Sequence, residues 1–155
     1  MTGAESAACR FEFRLLGPLE ILRDGEPLKV SGDRQRALLS LLLVHANEFV
    51  STDRIVDELA LGDTSGTGVN ALQALVSRLR RLLDRGLPRN GGTGVLATES
   101  GGYRLRAGAE HLDVREFERL ASEGRRALAA GQPAMAATKL TQALRLWRGP
   151  RGSRA

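Results

Sequence analysis

Between Val69 and Arg85 the chain carries a set of side chains suited to reading a polyanion. On a wheel of 100° per residue, Asn70, Ala74, Ser77, Arg78, Arg81 and Arg85 gather on one side, with Gln73 at its flank. Asn and Gln can bond adenine through two hydrogen bonds, and Arg can do the same to O6 and N7 of guanine. Ala and Ser leave room for the helix to approach the floor of a groove. No carboxylate interrupts this side until Asp84. Arg80 falls nearer the apolar side of the wheel, which suits it to a phosphate or a structural partner rather than a base. The plain alternative is a solvated helix face that happens to be basic.

A second basic cluster follows. Val95-Leu96-Ala97-Thr98 and Tyr103-Arg104-Leu105-Arg106 flank Ser100-Gly101-Gly102, the pattern of a short hairpin. The glycines allow a tight turn, so Arg104 and Arg106 can approach phosphates or a minor groove beside the helix. The competing reading is a strand pair that closes the domain edge. Glu99 sits at the hairpin tip, where a carboxylate opposes a phosphate.

Other chemistries lack their residues. His45 ends a leucine-rich helix and His111 lies in a linker, with no nucleophile beside either. The Gly91-Gly92-Thr93-Gly94 run lacks the Gly-Lys-Ser/Thr ending of a phosphate loop. The single cysteine, Cys9, provides neither a disulfide framework nor a zinc cluster. These absences predict a protein that is not an enzyme and needs no metal or cofactor.

The elements that must position the basic side chains can be read by periodicity. Residues 1–10 are small and polar, a leader expected to be disordered. FEFRLL over Phe11–Leu16, Leu19–Arg23 and Pro27–Val30 alternate or run apolar between Gly17-Pro18, Asp24-Gly25 and Ser31-Gly32, an antiparallel meander. Asp33 to Ala46 is leucine-rich at helical spacing. Ser51 or Thr52 can cap a second helix carrying Ile55, Val56 and Leu59. Gly62–Gly68 is a break. Val69, Leu72, Val76, Leu79 and Leu83 then define the longest helix, with steps of 3, 4, 3 and 4. Residues 86–94 form a glycine-rich loop before the hairpin, and Asp113–Ala130 with Pro133–Trp147 forms a helix pair turning at Gly131-Gln132. The fold class is therefore α+β: an N-terminal antiparallel sheet, three helices and a β-hairpin wing, a winged helix-turn-helix. A tetratricopeptide-like helical hairpin follows.

Charge supports this division. The 155 residues hold 23 basic and 18 acidic side chains, a net of +5. Residues 1–64 hold 7 basic against 11 acidic, residues 65–108 hold 7 against 2, and residues 109–155 hold 9 against 5. The positive charge is concentrated where the long helix and hairpin lie, so nucleic acid is the leading partner, and the winged architecture makes double-stranded DNA the form expected. The longest apolar run, Leu38–Val44, is far short of the ~20 residues of a membrane span. Neither a membrane role nor a secretory signal is expected, and the cytoplasm is the expected compartment.

Taken together, several segments resemble the Streptomyces antibiotic regulatory protein family. They are FEFRLLG (Phe11–Gly17), Pro18-Leu19-Glu20-Ile21, RQRALL (Arg34–Leu39), Leu41–Asn47, Val50–Asp57, Asn70-Ala71-Leu72-Gln73, Val76–Arg81 and Gly102-Tyr103-Arg104-Leu105. The resemblance implies an OmpR-type winged helix over residues 11–107 whose third helix enters the major groove. DNA-binding roles would then fall to Asn70, Gln73, Ala74, Ser77, Arg78, Arg80, Arg81 and Arg85, with Arg104 in the wing. It further implies binding to direct repeats near the promoter −35 region, pairing on DNA, recruitment of RNA polymerase holoenzyme, and activation of secondary-metabolite (antibiotic) genes.

Residues 108–155 are similar to the start of the family's bacterial transcriptional activation domain, notably in Phe117-Glu118-Arg119-Leu120 and Ala143–Pro150. A lone helix pair cannot bury its own face. That domain is therefore expected to be mostly missing here, with residues 151–155 as a polar tail. Three departures bear on affinity: Leu59-Ala60-Leu61-Gly62 where the family has Leu-Trp-Gly, Leu75 where an aromatic or histidine is common, and Glu99 in place of a frequent arginine. A second functional reading is also open. Leu140, Leu144 and Trp147, left uncovered, would make this chain an interaction module, or a competitor of full-length regulators.

Overall fold

The computed structural model describes residues 10–62, 66–85, 94–108 and 111–148. The expected leader (but for Arg10), the glycine-rich loop before the hairpin (but for Gly94) and the polar tail lie outside the described residues. So do Asp63–Ser65 of the break. Two compact units emerge. Among the described residues, one contains Arg10, Phe11 and Ile21–Ala107, and the other contains Glu12–Glu20 and the chain from Gly108 onward.

The meander strands are β1 (Phe11–Arg14), β2 (Glu20–Arg23) and β3 (Glu26–Leu28). β2 and β3 pair antiparallel with Ile21 opposite Leu28 and Arg23 opposite Glu26. The turn between them uses Asp24 at φ 52° and Gly25 at φ 84°.

In the first unit three helices follow: α1 (Asp33–Val44), α2 (Thr52–Glu58) and α3 (Thr67–Leu83). α1 stops two residues short of the expected end. The Ala46 amide bonds the Leu43 carbonyl in a tightened turn, and Asn47 at φ 68° reverses the chain. Ser51 caps α2 as expected, its Oγ accepting from the Arg54 amide at 3.1 Å. α3 starts two residues early, at Thr67.

The core of this unit is aliphatic. Leu38, Leu39, Leu42 and Leu43 of α1 are buried, with Ile55 and Val56 of α2 and Leu72, Leu75, Val76, Leu79 and Leu83 of α3. Each full burial stabilises by about 1.5–3 kcal/mol relative to exposure. The stripe on α3 differs from expectation at its edges: Leu75 is buried and Val69 is only half-buried. Beside Leu75, buried Gln35 of α1 donates from Nε2 to the Leu75 carbonyl at 3.2 Å.

The hairpin forms from β5 (Leu96–Glu99) and β6 (Gly102–Leu105), with Leu96 opposite Leu105 and Glu99 opposite Gly102. A strand that sequence reading missed, β4 (Val50–Ser51), pairs with β6 on its other side, giving the order β4-β6-β5. The two residues of β4 are too few to carry periodicity. Their pairing depends on Gly102, where a Cβ would stand 2.3 Å from the Val50 carbonyl oxygen.

The second unit is built on α4 (Asp113–Ala129) and α5 (Pro133–Arg145), an antiparallel helical hairpin turned at Gly131, φ 77°. Small residues line its seam: Gly124, Ala127, Ala136 and Ala143 are buried. The Asp113 carboxylate accepts from the Leu15 and Leu16 amides at 2.8 and 3.0 Å, and Phe13 bridges to Leu112. Segment 12–20 thereby joins this unit.

Candidate nucleic-acid interface

The apolar stripe of α3 faces the core, so its opposite side faces outward. Asn70, Gln73, Ala74, Ser77, Arg78, Arg81 and Arg85 are all exposed. Among the described residues, no ion pair or hydrogen bond engages the guanidinium groups of Arg78, Arg81 or Arg85. α3 has no acidic residue in its first turn and none before Asp84, its C-cap. Three unpaired cations on one carboxylate-free surface concentrate positive potential there, the electrostatic requirement for approaching phosphates. A groove lined by Ser31, Asp33, Arg34, Gln35, Ala74 and Arg78 runs along one flank of this face, and its carboxylate, Asp33 of α1, pairs with Arg36 at 3.1 Å.

Two of the nine expected DNA-binding side chains are placed differently. Arg80 is half-buried and reaches β5, donating from Nε and Nη2 to the Leu96 carbonyl at 3.2 and 3.1 Å and from Nη2 to Thr98 Oγ1. The wheel put Arg80 near the apolar side, and the structural partner anticipated for it is the wing. Arg104 donates from Nε and Nη2 to Glu99 at 2.6 and 3.2 Å, and from Nη1 to the Asn47 carbonyl at 2.7 Å. Hydrogen bonding to Arg104 holds the Glu99 carboxyl below the ordinary carboxylate range and raises Arg104 in turn. Arg106 is exposed.

Sequence reasoning missed the residues that fasten this surface together. Asn47 is one: its amide donates to the Leu105 carbonyl at 2.7 Å, and its side chain both donates to and accepts from Ala107. The end of α1 is thereby locked to the strand of the wing. Arg23 is another, donating from Nη1 to the Leu83 carbonyl at 2.9 Å and satisfying one of the orphan carbonyls at the end of α3. The only local hint was the tolerance of Asn for the left-handed conformation. Arg23 offered no hint at all. His45 and Arg54 meet at 3.1 Å, and because a guanidinium only donates, His45 Nε2 accepts and Nδ1 faces Glu48. This is a structural role, not a catalytic one.

Among the described residues, no cluster of His, Cys, Asp or Glu is arranged to hold a metal ion. No helix among them is long and apolar enough to cross a membrane.

Three helices, a wing paired to the strand before α2, and an outward basic face on the third helix define a winged helix-turn-helix domain. Residues 25–105 match the family described as "Transcriptional regulatory protein, C terminal", and residues 112–154 match "Bacterial transcriptional activator domain". The chain is 38% identical over 146 residues to the regulatory protein AfsR of Streptomyces coelicolor, an alignment covering 94% of this chain and 14% of AfsR. It is 34% identical over 141 residues to the regulatory protein DnrI of Streptomyces peucetius, covering 89% of this chain and 52% of DnrI. A solved structure of Mycobacterium tuberculosis EmbR, in complex with a low affinity phosphopeptide, superposes with a TM-score of 0.79 at 34% identity, over 91% of this chain and 37% of that one. The chain belongs to the Streptomyces antibiotic regulatory protein family, whose regulators bind DNA. It spans between 14% and 52% of the length of these relatives.

Proposed function

We propose that this chain binds double-stranded DNA sequence-specifically, laying α3 in the major groove with the wing against the neighbouring backbone. The observation that carries the reading is the exposed, carboxylate-free face of α3 with Arg78, Arg81 and Arg85 unpaired among the described residues. Asn70 and Gln73 are suited to adenine, Arg78 and Arg81 to guanine or phosphate, and Ala74 and Ser77 to close approach. Arg80 acts by holding the wing to α3. Residues 11–107 serve as the DNA-binding domain and residues 108–155 as the beginning of an activation domain.

By kinship with AfsR and DnrI, the target is a promoter of secondary-metabolite genes in the cytoplasm, bound as a pair on direct repeats near the −35 region. Transcription rises through recruitment of RNA polymerase holoenzyme. DNase footprinting on direct-repeat promoters tests this directly, and a protected repeat with periodic major-groove contacts is the expected result. Arg78→Ala or Arg81→Ala should weaken binding by ~1–3 kcal/mol where the side chain pairs with guanine, or flatten the salt dependence by about one unit where it touches phosphate. Wild-type affinity and slope in both variants would sink the assignment.

A second reading rests on the α4–α5 hairpin, where Leu128, Met135, Leu144 and Trp147 are exposed. Such a patch suits a protein-interaction module that competes with longer family members. Gel shifts at several salt concentrations separate the two, since absence of binding at low salt favours the interaction module.

A further inference from the structure

The wing presents two arginines on the same side of β6, yet they are electrostatically unlike. Arg104 spends the Nε–Nη2 edge of its guanidinium, the fork that suits a carboxylate or a phosphate, on both oxygens of Glu99. Its Nη1 is committed to the Asn47 carbonyl. Both members of the pair are about 31% exposed, so the wing tip carries a closed, charge-neutral pair. Arg106, two residues on, is exposed; its charge acts on Glu99 more weakly than that of Arg104, and among the described residues its guanidinium has no hydrogen-bond acceptor. Its amide continues the ladder to the Val95 carbonyl at 2.7 Å, which fixes where the side chain leaves the sheet.

Counterion release on binding DNA follows the net charge a protein brings to the phosphates, not the number of its arginines. A neutralised pair brings none. Resting on the DNA-binding reading, we infer that Arg106 makes the wing's contact with the DNA backbone, while Arg104 is a positioning residue that acts through Glu99. It cancels the carboxylate that would otherwise face the phosphates and ties the wing tip to the turn after α1.

The test is fluorescence anisotropy of the full chain with a short labelled duplex of mixed sequence, across a salt series. Mixed sequence isolates the phosphate contribution from base reading. Arg106→Gln should reduce the slope of log affinity against log salt by about 0.9, and Arg106→Lys should retain it. Arg104→Gln, which unmasks Glu99, should lower affinity at low salt. Adding Glu99→Gln to it should restore binding with the wild-type slope, a rescue that neither a purely structural role nor a direct phosphate contact for Arg104 produces. An unchanged slope in Arg106→Gln overturns the inference, as does a double variant whose slope has dropped by about 0.9. A wild-type chain with no salt-dependent binding overturns the DNA-binding reading itself. A steep wild-type slope indifferent to Arg106 overturns only the wing assignment.

Discussion

α3 and α4 are both 17 residues long and both rich in arginine, yet Arg115 and Arg119 of α4 are paired within their own helix, while its exposed Arg125 and Arg126, like Arg78 and Arg81 of α3, form no ion pair among the described residues. On α4, Arg119 is held between Glu116 and Glu123 at 2.5 and 2.6 Å, Arg115 meets Glu118 at 3.3 Å, and Lys139 of α5 reaches Glu123 at 3.1 Å. Each pair on α4 itself lies three or four residues apart, the spacing at which helix side chains are neighbours. α3 itself holds no carboxylate, the first being its C-cap Asp84 three residues after Arg81, and among the described residues neither Arg78 nor Arg81 forms an ion pair. The difference lies in the placement of acids rather than of bases. A count of arginines would rank the two helices together, whereas their pairing separates a surface fit for a polyanion from one that stabilises its own hairpin.

The comparison can be broken most severely from inside. Leu79 of α3 is 0% exposed and Leu144 of α5 is 66% exposed. Leu79→Ala should cost about 2–5 kcal/mol in urea unfolding, and Leu144→Ala should stay within about 0.5 kcal/mol. Equal losses would refute the division into core and exposed faces.

Glycine gives the next contrast. At Gly102 a Cβ meets the Val50 carbonyl oxygen at 2.3 Å, whereas at Gly124 its close contact is the Leu140 side chain at 2.7 Å, with the Ala136 carbonyl oxygen at an ordinary 3.5 Å. Backbone cannot yield as a half-exposed leucine can. Gly102→Ala should therefore cost ~1–3 kcal/mol and loosen the wing, while Gly124→Ala, which gains helix propensity, should be nearly neutral in melting temperature.

Converting α3 to the α4 pattern sharpens the lesson. Ser77→Glu places a carboxylate four residues before Arg81, and DNA affinity should fall by roughly tenfold, about 1.4 kcal/mol, with the helix intact by circular dichroism. Unchanged affinity would show that free cations on this face are irrelevant.

The smallest effect is expected on acidification. Hydrogen bonds from Arg119 to Glu116, and from Lys139 and then Arg119 to Glu123, lower both carboxyls. A lowered folded-state value means that the stabilisation is complete above the unfolded carboxylate value of about 4.3 and is lost as pH falls through the folded one. Corrected for the intrinsic rate at each pH, amide exchange in α4 should thus accelerate as pH falls below about 4.3, and less so in Glu116→Gln/Glu123→Gln. An identical acceleration in that variant would remove the ion pairs as the cause.

Much of this was legible beforehand. The steps of 3 and 4 from Leu72 to Leu83 announced α3 and its outward face, Ser51 announced the start of α2, and Gly101-Gly102 announced the turn of the wing. Leu75 was harder, because a position between the stripe and the flank is buried or not according to what α1 sets beside it. β4 was invisible, since its two residues pair only because β6 arrives next to them.

What the sequence determined by itself is what neighbours along the chain control: helix periods, caps, turns, and the absence of acids along α3 before Asp84. Whether an arginine is free was decided only by the tertiary structure. Arg80 finds Leu96 across 16 residues and Arg104 finds Asn47 across 57. A guanidinium takes whichever acceptor folding brings within about 3 Å, and that acceptor is set by how the chain closes, not by the residues on either side of it.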